Sequence, residues 1–205
     1  NMKKVLLSAL AVFAFTFANA QEEETKGNGG FSKGDVFVSG SFGFGSEKFG
    51  DFYDASSFNF SPAVGYFVSE NIAIGAMLKI SSAENVEVDL GPLGSGFVEK
   101  FSSFGADIFG RYYFTPADKF SVFAQAAVGF GSDKYEDGGE IKATSFGINA
   151  GLGLSYFVSS KFAIEASWAG LGYNSYKFED ADDSLNSFGV NGNLSNINLG
   201  LVYKF

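Results

Sequence analysis

Six charged side chains stand apart from the others: Asp35, Lys79, Asp107, Arg111, Glu165 and Lys204. Each sits in a stretch where every second residue is apolar, and together they make three acids and three bases. Such residues in such surroundings are suited to ion pairing away from bulk water. Catalysis is poorly served. The chain has neither histidine nor cysteine, which closes His-based hydrolysis, thiolate chemistry, iron–sulfur sites, disulfides and a lipoprotein anchor together. Nothing pairs two carboxylates for acid and base roles. The expectation is no enzyme, no catalytic residue and no cofactor.

The remaining acids crowd into polar stretches. Glu179-Asp180-Ala181-Asp182-Asp183 is the densest, followed by Asp133, Glu136, Asp137 and Glu140. A hard divalent cation needs several oxygens and a shaping glycine at defined spacing, and neither run has that pattern. Both read as solvated charge, with cation binding as the alternative. The net charge is −9, which makes nucleic acid a poor partner.

The elements that hold the six charges are strands. After a basic start at Met2-Lys3-Lys4, Val5 to Ala18 is apolar but for Ser8 and Thr16, and Ala18-Asn19-Ala20 has the form of a cleavage site. Residues 1–20 therefore read as a secretory signal peptide, too short to span a bilayer as a helix. Residues 21–33, polar and Gly-rich, read as a flexible periplasmic tail. No other stretch approaches eighteen apolar residues, so the domain at 34–205 can lie in a membrane only as strands, closed into a barrel that satisfies every backbone N–H and C=O.

Eight segments alternate with period two. One parity is apolar throughout, as in Val36, Val38, Gly40, Phe42 and Phe44 of the first, or Phe104, Ala106, Ile108, Gly110, Tyr112 and Phe114 of the fourth. The eighth carries Ile197, Leu199, Leu201, Tyr203 and Phe205. The other parity offers small or polar residues such as Ser39, Ser41, Asn59, Ser61, Ser103, Gln125 and Asn149, and it carries the six charges. A soluble barrel or sandwich would turn the apolar set inward. Here that would crowd aromatic rings into a narrow lumen and leave Ser, Gly and Asn facing water, so the apolar set is read as facing lipid.

Connections are short at one end, where Tyr66-Phe67-Val68-Ser69-Glu70-Asn71-Ile72 is echoed by Tyr156-Phe157-Val158-Ser159-Ser160-Lys161-Phe162, ninety residues on. They are long at the other, about Ser46 to Ser56, Ser82 to Lys100, Ser132 to Ala143 and Tyr173 to Gly192. The third to sixth strands are expected to project as hairpins, because Val86-Glu87-Val88-Asp89-Leu90 keeps the third strand's parity, with irregular mobile loops as the alternative. Aromatic residues form two belts, with Tyr66, Tyr112 and Tyr156 at the short-turn end and Trp168 at the other. At roughly 3.3 Å per residue and a tilt near 40°, the belts stand on the order of 20–25 Å apart.

Taken together, the leader, the eight strands and the ending Leu199-Gly200-Leu201-Val202-Tyr203-Lys204-Phe205 resemble the OmpX/OmpA-type family of small outer-membrane barrels. The resemblance implies an all-β, eight-stranded antiparallel up-and-down transmembrane β-barrel in the outer membrane of a Gram-negative bacterium. Long loops would be extracellular and both termini periplasmic. It also implies an assembly signal at Tyr203 and Phe205, read by the barrel assembly machinery, and a barrel without a peptidoglycan-binding domain. Outer-membrane lipids and lipopolysaccharide would surround a monomer. The expected role is structural or in surface adhesion, through acidic loops above a closed polar lumen, with a narrow porin-like pore as the alternative.

Within such a barrel the six charges have partners. Lys79 and Asp107 lie on neighbouring strands at matching heights, Arg111 and Glu165 face each other across the lumen, and Asp35 and Lys204 meet at the seam. A plug of paired charges is expected, against the alternative of hydrated charges in a water-filled lumen.

Overall fold

The computed structural model describes residues 29–49, 53–89, 95–179, 181–190 and 198–205. The leader at 1–20 and residues 21–28 of the tail lie outside them. Among the described residues there are nine strand segments: β1 (Val36–Phe49), β2 (Tyr53–Phe67), β3 (Ile72–Asp89), β4 (Ser95–Tyr113), β5 (Phe120–Glu136), β6 (Glu140–Phe157), β7 (Phe162–Phe178), β8 (Leu185–Val190) and β9 (Asn198–Lys204). Each strand from β1 to β7 pairs antiparallel with the next, and β9 lies between β7 and β1 to close the ring. β8 pairs with the part of β7 beyond Gly170 while β9 pairs with the part before it. The two segments share one stave, and the barrel has eight. Ile197, expected to open that last strand, lies outside the described residues.

Alternation explains the ring. Phe42, Ile108 and Phe130, all in the apolar parity, are 68 %, 69 % and 67 % exposed on the outer wall. A soluble fold would not leave so many large apolar groups uncovered, whereas lipid accepts them. The parity changes once. Ala150 pairs with Leu171 but Gly151 with Ala169, so Gly170 is an extra residue in β7. Beyond this bulge Tyr173 continues the outer face, while Asn174 and Tyr176 turn inward.

The two near-repeated turns share one device. Ser69 Oγ accepts the Ile72 N–H at 3.1 Å, and Ser159 Oγ accepts the Phe162 N–H at 3.0 Å. At the opposite end the β3–β4 and β5–β6 ladders project as expected, to Asp89↔Ser95 and Glu136↔Glu140. The β1–β2 ladder, read as ending near Ser46, also continues, to Phe49↔Tyr53. The stretch read as a connection from Tyr173 to Gly192 holds the end of β7 and all of β8. Antiparallel pairing satisfies backbone groups as well above a membrane as within it, so alternation prolongs the hairpins.

Two expectations about the interior need correcting. The inward parity is not small or polar throughout: Phe37, Phe67, Phe109, Tyr113, Phe123 and Phe157 are buried inside the short-turn half. They fit because most face a small partner across the ladder, as in Phe37↔Gly65, Phe109↔Gly75, Phe123↔Gly153, Phe67↔Ala73 and Phe157↔Ala163. Nor is the tail loose as far as residue 33. Phe31 is 1 % exposed and sits among these rings. Gly30, at φ +99°, brings the chain against the Ala117 carbonyl where a Cβ would collide, and the Phe31 N–H donates to the Pro116 carbonyl at 2.6 Å. Burying one phenylalanine contributes roughly 1.5–3 kcal/mol, enough to hold so short a segment in place.

Candidate functional site

The lumen is built in layers from the short-turn end upward. The lowest is aromatic. The Phe31 ring centre lies 4.7 Å from that of Phe67, 4.8 Å from Phe157, 5.3 Å from Tyr113 and 5.5 Å from Phe37. Four staves thus close on a side chain supplied by the segment before β1. Beside it the seam pair forms, with Lys204 Nζ 3.6 Å from Asp35 Oδ2 and donating to the Gly30 carbonyl at 2.6 Å. Lys204 therefore ties β9 both to the start of the barrel and to the plug.

Arg111 and Glu165 occupy the next layer. Both are almost fully buried, at 8 % and 5 % exposure. Arg111 Nη1 donates to Glu165 Oε2 at 2.9 Å and to Oε1 at 3.2 Å. Its Nε donates to Gln125 Oε1 at 2.6 Å, and the Tyr113 hydroxyl donates to Glu165 Oε1 at 3.2 Å. The guanidinium carbon stands 4.5 Å from the Phe123 ring centre and 5.0 Å from that of Phe109. Aromatic faces favour a cation by about 2 kcal/mol or more when desolvated. A planar, always-charged guanidinium suits this place better than a lysine.

Lys79 and Asp107 form the third pair, 2.8 Å apart. Asp107 is buried and Lys79 partly exposed; the ammonium lies off the line of a hydrogen bond to Oδ1, so the contact is one of charge. Gly129 makes room for it, since a Cβ there would overlap the Asp107 carboxylate. Above the Arg111–Glu165 layer the lumen opens around this pair. A cavity of about 470 Å³ extends from Arg111 and Glu165 past Ser39, Ser61 and Lys79. Another of about 540 Å³ continues it toward the long-loop end.

The other marked residues lie on the outside. Tyr66, Tyr112 and Tyr156 are about half exposed at the short-turn end. The Tyr203 ring packs 4.9 Å from Phe162 and 4.9 Å from Phe205, whose N–H donates to the Val36 carbonyl at 3.0 Å. The Trp168 side chain lies outside the described residues. So does Asp180 of the last acidic run, and among the described residues no three acidic side chains converge as a metal site would require. On the projecting β5–β6 hairpin, Lys134 bridges Glu136 at 3.0 Å and Glu140 at 2.6 Å, while Lys142 holds the other Glu140 oxygen at 2.9 Å. Hydrogen bonds from Lys134 and then Lys142 keep the Glu140 carboxyl below its usual range.

What sequence reasoning missed is the aromatic half of the lumen. A signal for it was present: inward glycines at 65, 75 and 153 oppose inward phenylalanines on the next strand. This ring-over-glycine arrangement is one way sheets cover a bare backbone.

The family model described as outer membrane protein beta-barrel domain matches residues 6–205. Among solved structures, Neisserial surface protein A is 15% identical with a TM-score of 0.50, over 83% of this chain and 96% of that one. OprG from Pseudomonas aeruginosa is 14% identical, also at 0.50, over 86% and 98%. At such identity the likeness shows the fold alone. No curated protein sequence matches the chain.

Proposed function

Since the chain belongs to the outer membrane protein beta-barrel domain family, we propose that it acts as a closed barrel in that membrane, with a structural or surface-interaction role carried by its projecting hairpins. The observation behind this reading is the double closure of the short-turn end. Phe31 fills the ring of Phe37, Phe67, Tyr113 and Phe157, and the Arg111–Glu165 layer lies over it. An eight-stranded barrel has an interior just wide enough for side chains to fill, and this one fills the lower half with rings. Above the membrane, the ion-paired β5–β6 hairpin and the half-exposed Phe97 and Ile141 offer the mixed polar and apolar surface that partners use. The open cavities higher in the lumen favour the second reading, a narrow pore, which requires the plug to move.

Orientation follows from loop length, because outer-membrane barrels keep short turns periplasmic. Single cysteines are free of background in a chain that has none. Asp137→Cys and Asp182→Cys, at the long-loop end, are expected to react with an impermeant maleimide on intact cells. Ser69→Cys and Ser159→Cys should react only after lysis. The reverse pattern would invert the barrel and remove the hairpins from the cell surface.

A further inference from the structure

One lumen carboxylate takes no part in the closure. Asp133 on β5 points inward, is 5 % exposed, and lies across the ladder from Ser103 on β4 and Ala143 on β6. Among the described residues no side chain forms an ion pair with it. The lumen cations below it are already paired, Lys79 with Asp107, Arg111 with Glu165 and Lys204 with Asp35. Lys134, next in sequence, belongs to the other face and holds Glu136 and Glu140. A carboxylate facing the lumen with no counter-charge among the described residues is a ready acceptor for a cation.

Its surroundings describe that partner. Asp133 faces the cavity of about 540 Å³, within the roughly 300–1,000 Å³ range of small-molecule sites. Tyr135 and Tyr176 flank it. Burial first, then the Asp133 charge, push the Tyr135 hydroxyl up to about 12, and Tyr176 moves the same way. The Tyr135 ring lies 5.2 Å from Phe101 and 6.2 Å from Phe178, forming an aromatic wall. Asn149 and Asn174 add amides to the same lining. One carboxylate is too few for a hard metal ion, which takes six or more oxygens. A carboxylate beside aromatic faces suits an ammonium, and neighbouring amides suit hydroxyls.

We propose that the upper lumen is a binding site for a small polyhydroxylated amine of the amino-sugar class, its ammonium paired with Asp133 and its ring laid against the Tyr135 wall. The site lies beyond the Arg111–Glu165 layer and exists whether or not the lower end passes ions, so its test is independent of the closed-barrel reading. Saturation-transfer NMR on the full chain in lipid nanodiscs, with glucosamine, glucose and N-acetylglucosamine as probes, decides it. Glucosamine should bind at least tenfold more tightly than the two neutral sugars, as a charge-assisted contact predicts. Asp133→Asn, which keeps the shape, should erase that preference. Equal binding of the three probes, no binding of any, or an undiminished preference in Asp133→Asn would overturn the proposal. The probe series on the unaltered chain stands without the variant.

Discussion

Arg111→Ala is expected to lower the stability of the folded barrel by roughly 3–5 kcal/mol, the usual cost of removing one partner from a buried ion pair. The loss has three parts. Glu165 is left buried, with the Tyr113 hydroxyl as its remaining donor among the described residues. Gln125 loses the donor at 2.6 Å. The Phe109 and Phe123 faces lose the cation above them. Glu165→Ala should cost a similar amount, moderated because those rings and Gln125 still hold the guanidinium. The double variant should cost much less than the sum, since neither charge is then stranded. Equilibrium unfolding in detergent micelles with a chemical denaturant reads all three. Additive losses would mean that the two side chains act separately, and the pair would lose its place in the closure.

The second large effect is expected from a single methyl group. Gly153→Ala places a Cβ inside the Phe123 ring. That ring has little room to retreat, with the Arg111 guanidinium 4.5 Å from its centre and the Tyr113 ring 5.1 Å away. Overpacking of this kind costs on the order of 1–3 kcal/mol, and the displaced ring would disturb the Arg111 layer as well. Gly110→Ala is the matched control. Gly110 also lies in a strand, nothing stands within 4 Å of its would-be Cβ, and a change within about 0.5 kcal/mol is expected. Adding Phe123→Leu to Gly153→Ala should recover part of the loss. If Gly153→Ala unfolds at the same denaturant concentration as the unaltered protein, the rings are packed more loosely than these distances imply.

Much of this architecture could be read from residue order, for a physical reason. A barrel in lipid must obey period two, and Val36 through Phe44 or Phe104 through Phe114 obey it without exception on the lipid face. The same parity placed Lys79 beside Asp107, and Arg111 within reach of Glu165. What alternation hides is the fate of apolar residues on the inward parity. Phe37, Phe109 and Phe123 look like breaks in a polar face until the glycine opposite each is found, and that pairing depends on register between strands. Phe31 carries no periodic signal at all, because its burial comes from a positive-φ glycine segment rather than a strand. The bulge at Gly170 escaped notice because Gly170-Leu171-Gly172-Tyr173 reads as alternating in either phase. Asp133 was read only as one more acid in a charged run, because its inward place depends on how far the β5–β6 ladder keeps its register.

Closure at the short-turn end is the central claim, and planar-bilayer recording of the purified full chain tests it most directly. With Phe31 seated and Arg111 paired to Glu165, the unaltered protein is expected to insert and carry no large, steady current, while Phe31→Ala combined with Arg111→Ala should raise ion leakage in the same bilayer. A large, steady conductance from the unaltered protein would show an open pore and contradict the closed-barrel account.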